Sequence, residues 1–276
     1  IPHGIPDVPL VDPESHKEQF DVAGRPVLLT FGLLSPGKGV EYAIEALPAI
    51  AKRHPQVIYI ILGATHPNLV RDQGETYRLS LARLARRLGV ANNVMFVNRY
   101  VDNSELREYI AAADIYLTPY LNESQITSGT LAYCFGAGKA VVSTPYWHAA
   151  ELLADGLGTL VPFRDSAAIA EAINHLLDDG ETLRSMREGA YQKGREMVWP
   201  QTAESYLRVF DEAREVAAAL PKRIRPAPTV GIERADLPVW RLDHLGRMTD
   251  STGVFQHAVF SLPRFEHGYC TDDNAR

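Results

Sequence analysis

Six short apolar runs punctuate the first 161 residues, at 27–31, 57–62, 94–97, 115–118, 140–143 and 159–161. They do not alternate apolar with polar positions: Val-Leu-Leu-Thr-Phe at 27–31 and Val-Ile-Tyr-Ile-Ile-Leu at 57–62 are apolar almost throughout. A strand of that kind is covered on both faces, as in a parallel sheet packed between helices. Between the runs, apolar positions recur at helical spacing over 40–54, 77–88, 105–112, 130–137 and 149–154. Further helical stretches follow at 166–177, 181–197 and 201–219. Asp102 and Glu105 stand at capping-box spacing, which starts the third helix cleanly. This order predicts an α/β fold, a doubly wound, Rossmann-like parallel sheet with extra C-terminal helices. Ligands of such a sheet sit outside the carboxyl ends of its strands.

Residues 220–231 carry three prolines and three basic residues, the composition of a linker. The expected organisation is one α/β domain over 1–219, a linker over 220–231, and the start of a second domain over 232–276. The chain lacks an initiator methionine and stops on Asn274-Ala275-Arg276, so it is expected to be a piece of something longer. A length of 276 residues suffices for a sizeable core. The formal charge of -6 argues against a general nucleic-acid or anionic-membrane surface. The apolar runs are too short to span a bilayer and no signal peptide is evident, which points to the cytoplasm. Two cysteines, Cys134 and Cys270, make neither a disulfide framework nor a thiolate metal site, and Cys134 falls in an apolar helical run that belongs in the core.

The polar residues concentrate where the strands end, in loops at 32–39, 63–67, 98–100, 119–129 and 144–151. In a parallel sheet all five converge on one edge, outlining a cleft rich in donors, carboxylates and aromatic faces. The first loop is Gly32-Leu33-Leu34-Ser35-Pro36-Gly37-Lys38-Gly39. Freed backbone amides, a helix N-terminus and one ammonium make a phosphate or diphosphate site, with Lys38 and the amides of Gly37 and Gly39 as donors. The spacing fits the nucleotide-triphosphatase loop up to its lysine, but Gly39 stands where that loop has its magnesium-holding hydroxyl. Thr127-Ser128-Gly129-Thr130 opens a helix, either as a second phosphate site or as a plain N-cap. Glu123, with Gln125, sits just before it, as a catalytic or sugar-binding carboxylate or as a first-turn acid. His66 and His148 lack metal-ligand spacing, so no metal is expected; they are cleft hydrogen-bond partners or ordinary loop histidines. Tyr146-Trp147-His148 is a stacking platform or a packing cluster. Arg99 faces a nucleotide or pairs with a carboxylate such as Glu105. No Ser-His-Asp order or nucleophile elbow appears.

These residues resemble the C-terminal domain of retaining GT-B glycosyltransferases, in particular glycosyltransferase family 4. The loop 32–39 with Glu41-Tyr-Ala-Ile-Glu-Ala-Leu resembles that family's G-R-L-x-x-x-K-G opening. Ala113-Asp114-Ile-Tyr-Leu-Thr-Pro119 is similar to A-D-V-x-x-x-P, and Gly136-Ala-Gly138-Lys-Ala-Val-Val-Ser-Thr144 to A-x-G-x-P-V-V-A-T. Glu151, with Asp155-Gly156-x-Gly158-x-Leu-Val-Pro162, resembles P-E-x-x-x-x-G-x-x-G-x-L-V, and Ile1-Pro2-His3-Gly4-Ile5 resembles the I-P-N-G-V crossover from an N-terminal domain. The resemblance spans roughly residues 1–210. It implies a UDP- or GDP-type nucleotide-sugar donor, transfer with retention to a carbohydrate acceptor held largely by an N-terminal domain, and no obligatory metal or other cofactor. On that reading Lys38 and Glu123 are the catalytic candidates. Gly32, Gly37, Lys38, Gly39, Gln125, Thr127, Ser128, Gly129, Arg99, His66 and Glu151 are the donor-binding set.

Two departures stand out. Leu33 replaces the family's arginine, and the paired glutamates of E-x7-E fall on Gln125 and Tyr133. The alternatives are a glycan phosphorylase using the same loop for inorganic phosphate, or a non-catalytic sugar- or nucleotide-binding module. The tail, with Leu242-Asp-His-Leu-Gly-Arg-Met-Thr-Asp250 and His267-Gly-Tyr-Cys-Thr-Asp272-Asp273, resembles the start of an α-helical toroid domain of glycosidase-like type.

Overall fold

The structure is a computed structural model that describes residues 1–219 and 242–269. The chain divides into two compact units, Ile1–Val216 and Ala217–Arg276. The linker composition at 220–231 and the paired acids Asp272-Asp273 lie outside the described residues.

The first unit opens with a short helix, Glu14–Lys17 (α1), and then alternates strand and helix. The strands are Val27–Phe31 (β1), Ile58–Leu62 (β2), Val94–Val97 (β3), Ile115–Thr118 (β4), Ala140–Ser143 (β5) and Thr159–Leu160 (β6). Their helices are Val40–Arg53 (α2), Pro67–Gln73 (α3), Thr76–Arg87 (α4), Asn103–Ala112 (α5), Gly129–Gly136 (α6) and Trp147–Leu152 (α7). Ser166–Asp178 (α8), Gly180–Gly194 (α9) and Trp199–Ala219 (α10) follow. In the second unit the described elements are Asp243–Arg247 (α11) and a small antiparallel pair, Ala258–Val259 (β7) with Leu262–Pro263 (β8).

The six strands pair in the order β3-β2-β1-β4-β5-β6, every pairing parallel. The apolar runs are explained by the two layers they serve. Val27, Leu29, Phe31, Ile58, Ile60, Leu62, Tyr116 and Val141 pack on the face covered by α5, α6 and α7. Leu28, Tyr59, Ile61, Ile115, Leu117, Ala140 and Val142 pack on the face covered by α2, α4 and α8. Each fully buried aliphatic side chain contributes about 1.5–3 kcal/mol by leaving water, so a strand with both faces dry has no position left for alternation. Cys134 is buried on α6, as its apolar run implied.

The observed elements differ from the sequence expectation at three places, the first being the short α1 at Glu14–Lys17, which was not expected. No helix was expected over 67–73; Pro67 occupies its first position, where a missing N–H costs nothing, and His66 caps it. The expected helix at 181–197 ends at Gly194 and tightens into a 3₁₀ turn over Arg195–Met197. The close passage of α9 over α6 accounts for glycine here: a Cβ on Gly194 would stand 2.7 Å from Gly136 Cα. The strand order reverses between β1 and β4, so the crevice that binds ligands in such sheets lies at the carboxyl ends of these two strands.

Candidate functional site

The strand-end loops are laced to one another by backbone hydrogen bonds. Beyond β1, Leu34 N–H donates to Ala64 O at 2.9 Å and His66 N–H to Leu34 O at 2.9 Å, so the β1 and β2 loops continue the sheet's pairing. Leu121 N–H donates to Gly37 O at 2.9 Å, tying the β4 loop to the β1 loop. Trp147 N–H donates to Glu123 O at 3.0 Å and His148 N–H to Gln125 O at 3.2 Å, tying the β5 loop to the β4 loop. Two glycines allow this. Gly63 has φ 132° and a Cβ there would meet Gly32 O at 2.3 Å; Gly39 has φ 61° and a Cβ there would meet Pro119 O at 2.1 Å.

At the switch point Lys38 reaches across from the β1 loop to the β4 loop. Its ammonium donates to the Tyr120 hydroxyl at 2.7 Å, lies 4.5 Å from the centre of that ring, and has Phe31 O at 3.4 Å. Tyr120 Oη is 3.0 Å from Thr130 Oγ1 on α6. Thr130 Oγ1 also accepts from Tyr116 Oη at 2.8 Å and lies 3.1 Å from Ser128 Oγ. Ser128 is the N-cap of α6 and its Oγ accepts from Leu131 N–H at 3.3 Å. Tyr120 stacks on the buried Tyr146 ring, centroids 5.3 Å apart at 18°. Burial pushes the Tyr120 phenol up, but the Lys38 charge and the hydrogen bonds from Lys38, Thr130 and Tyr116 outweigh it and hold the phenol below its ordinary value. Ser128 N–H donates to His148 Nδ1 at 2.9 Å, so that nitrogen carries no proton in this arrangement. Burial lowers the His148 pKa, against the charge of Glu151 and with that of His3.

Of the expected site residues, the structure brings together Gly32, Lys38, Gly39, Ser128 and Gly129, with His148 beside them. Several of the expected site residues have partners within the protein. The Gly39 amide closes its own 3₁₀ turn by donating to Pro36 O at 3.1 Å, so it is not an open donor for an anion. His66 is a helix cap, its Nδ1 accepting from Asn68 N–H at 3.2 Å. Arg99, beyond β3 and two strands from β1, forms a two-pronged pair with Glu105, one prong at 2.7 Å. Tyr146 belongs to the core and not to a stacking platform, whereas Trp147 is 56% exposed. Thr127 is exposed and accepts, through its backbone carbonyl, from Gln125 Nε2 at 3.2 Å. Glu123 and Glu151 present exposed positions on the β4 loop and on α7.

Sequence reasoning placed Thr130 only within the 127–130 helix start, and it missed Tyr120, whose hydroxyl links the two halves of the cluster, and His3. His3 Nε2 lies 3.2 Å from where a Cβ on Gly129 would be, at the start of α6. A tyrosine directly after an apolar strand reads as core, and only its position two residues past the end of β4 hinted otherwise. A cavity of about 490 Å³ opens elsewhere, lined by Val8, His16, Leu106, Glu108, Tyr133 and Lys139 among others, away from the strand ends. Among the described residues no three His, Cys, Asp or Glu side chains are grouped to hold a metal ion, and no helix is long and apolar enough to cross a membrane.

The sequence profile of the glycosyl transferases group 1 family matches residues 11–193. This chain belongs to that family. The glycosyltransferase domain is 31% identical over 204 residues to D-inositol 3-phosphate glycosyltransferase 2 of Catenulispora acidiphila, covering 71% of this chain and 45% of that protein. It is 26% identical over 217 residues to phosphatidyl-myo-inositol mannosyltransferase of Mycolicibacterium smegmatis, covering 76% of this chain and 51% of that protein. The chain therefore spans about half the length of these relatives. Among solved structures, Anabaena HepE in complex with UDP and glucose superposes with a TM-score of 0.64 at 22% identity, over 72% of this chain and 52% of that one. The C-terminal domain of a group 1 glycosyl transferase, LpcC, from Francisella tularensis superposes with a TM-score of 0.58 at 19% identity, over 68% of this chain and 92% of that one. At these identities the likeness carries the fold, a six-stranded parallel GT-B half.

Proposed function

We propose that residues 1–219 are the donor-binding half of a retaining glycosyltransferase of family 4, which transfers a hexosyl group from a UDP- or GDP-sugar to an acceptor held by an N-terminal half. The observation that carries this reading is the Lys38–Tyr120–Thr130–Ser128 cluster at the switch point between β1 and β4, in a chain of the group 1 family. An ammonium and a helix N-terminus at this point are matched to a diphosphate. As the bond from the anomeric carbon to the diphosphate breaks, negative charge grows on the leaving oxygen. Lys38, held beside the switch point by Tyr120, stabilises that charge more than it stabilises the intact donor, which lowers the barrier. No metal ion is needed for that step in this scheme. Glu123 and Glu151, on the neighbouring loops, hold sugar hydroxyls. The names of the relatives, an inositol-phosphate glycosyltransferase and a mannosyltransferase, support a hexosyl donor.

The test is to incubate the intact protein carrying this chain with UDP- and GDP-hexoses and carbohydrate acceptors. Nucleoside diphosphate should be released, with a product that keeps the donor's anomeric configuration. Release of sugar 1-phosphate that depends on inorganic phosphate and needs no nucleotide would overturn the proposal in favour of a phosphorylase.

A further inference from the structure

The hydroxyl cluster beside Lys38 is continuous from the β1 loop to α6. An ammonium donates and cannot accept, so the Tyr120 oxygen takes the Lys38 hydrogen at 2.7 Å and turns its own hydrogen elsewhere. The Thr130 hydroxyl, at 3.0 Å, is its partner. Thr130 Oγ1 also accepts from Tyr116 and lies 3.1 Å from Ser128 Oγ. The hydroxyls of Tyr120, Thr130 and Ser128 thus form one unbroken series from Lys38 to the N-cap of α6. Tyr116, Tyr120 and Ser128 are all buried, so the interactions act in a poorly screened setting where hydrogen bonds in series strengthen one another. The Tyr120 ring cannot drift, because it is stacked on buried Tyr146. Lys38, by contrast, sits on a flexible four-carbon stem in a loop without the family's arginine, Leu33 standing in that place.

We propose that Tyr120 is a positioning residue of the diphosphate site: its hydroxyl, holding the Lys38 ammonium on one side and the Thr130 hydroxyl on the other, locks the β1 loop and the N-terminus of α6 into one donor unit before the ligand arrives. This rests on the reading of the site as a diphosphate cradle. The single cation is fixed in place by a phenol, so less side-chain freedom is lost when the anion binds. Tyr120 acts through Lys38 and through Thr130.

The experiment is a double-mutant cycle between Lys38→Ala and Tyr120→Phe in the intact protein, with Thr130→Val as a second probe of the same series. Tyr120→Phe keeps the ring, its stacking and its contact with the ammonium, and removes only the hydroxyl. Affinities for UDP, GDP and inorganic pyrophosphate are measured by calorimetry, alongside melting temperatures and, separately, sugar transfer. Tyr120→Phe is expected to weaken binding of these diphosphates about tenfold, as is typical for the loss of a hydrogen bond to a charged group, and Thr130→Val to weaken it in the same direction. Once Lys38 is alanine, adding Tyr120→Phe should change binding less than about twofold. Unchanged affinity in Tyr120→Phe overturns the proposal, as do losses that add independently in the double variant, or a wild-type protein that holds none of the three probes. Coupled losses in a protein that transfers no sugar would leave the positioning role standing and remove the glycosyltransferase reading. Transfer without coupling would do the reverse.

Discussion

Single residues divide into those that hold a ligand-facing group and those that hold the scaffold. Lys139 belongs to the scaffold. It is 0% exposed, and its ammonium donates to Ala111 O at 2.8 Å, close behind the end of α5. Burial, with the nearby Arg187 charge, pushes its pKa down to about 7, against the opposing pull of Cys134 and Asp114. In the unfolded chain the same group titrates near 10.4. Its folded value is the lower one, so folding carries no penalty from Lys139 above about pH 10.4 and a growing one as the pH falls toward 7. Lys139→Met is therefore expected to raise the melting temperature at pH 7, with a gain that shrinks as the pH approaches 10. The loss of the Ala111 contact offsets part of this, because a terminal helix carbonyl is cheap to leave unpaired compared with a buried charge. Thermal melts of the two proteins between pH 7 and 10 check the sign and the slope.

At the scale of elements, the strand-end loops are held by backbone approach as much as by side chains. Gly39 combines a φ of 61° with a position where a Cβ would stand 2.1 Å from Pro119 O, a backbone atom that cannot turn aside. Gly39→Ala is expected to destabilise the fold by about 2–4 kcal/mol through backbone strain and displacement of the β4 loop. Chemical denaturation measures it, and an unchanged midpoint would mean that the β1 and β4 loops do not meet as described. The strands and most helices were legible in the sequence, because a strand dry on both faces leaves an apolar run that no amphipathic helix imitates. Asp102 was legible too: it caps α5 by accepting from Glu105 N–H at 2.8 Å. The helix at 67–73 was not, because a His-Pro start reads as a loop until the His66 cap is seen. Within the site, the glycines and Lys38 announced themselves by type and spacing. Tyr120 did not, and Thr130 did only within a helix start, because their part depends on β4 and α6 being brought against the β1 loop, a contact between segments some 80 residues apart. The same lack of tertiary information made the Gly39 amide look open when its own turn consumes it.

At the scale of the whole molecule, the proposed donor-binding half falls within the compact unit Ile1–Val216. The β3-β2-β1-β4-β5-β6 order places one ammonium and one helix N-terminus on either side of a single crevice. Where the family resemblance expects two cations on the diphosphate, this chain offers Lys38 with Leu33 as its neighbour in the loop. Its activity should accordingly lean on one side chain. The most direct measurement is the kcat/KM for nucleoside diphosphate release from a UDP- or GDP-hexose by the intact protein and by its Lys38→Ala variant. A loss of about 10²–10³-fold is expected, the scale of removing a preorganised donor from a developing charge, in a variant that still folds. Equal kcat/KM values in the two proteins would contradict it.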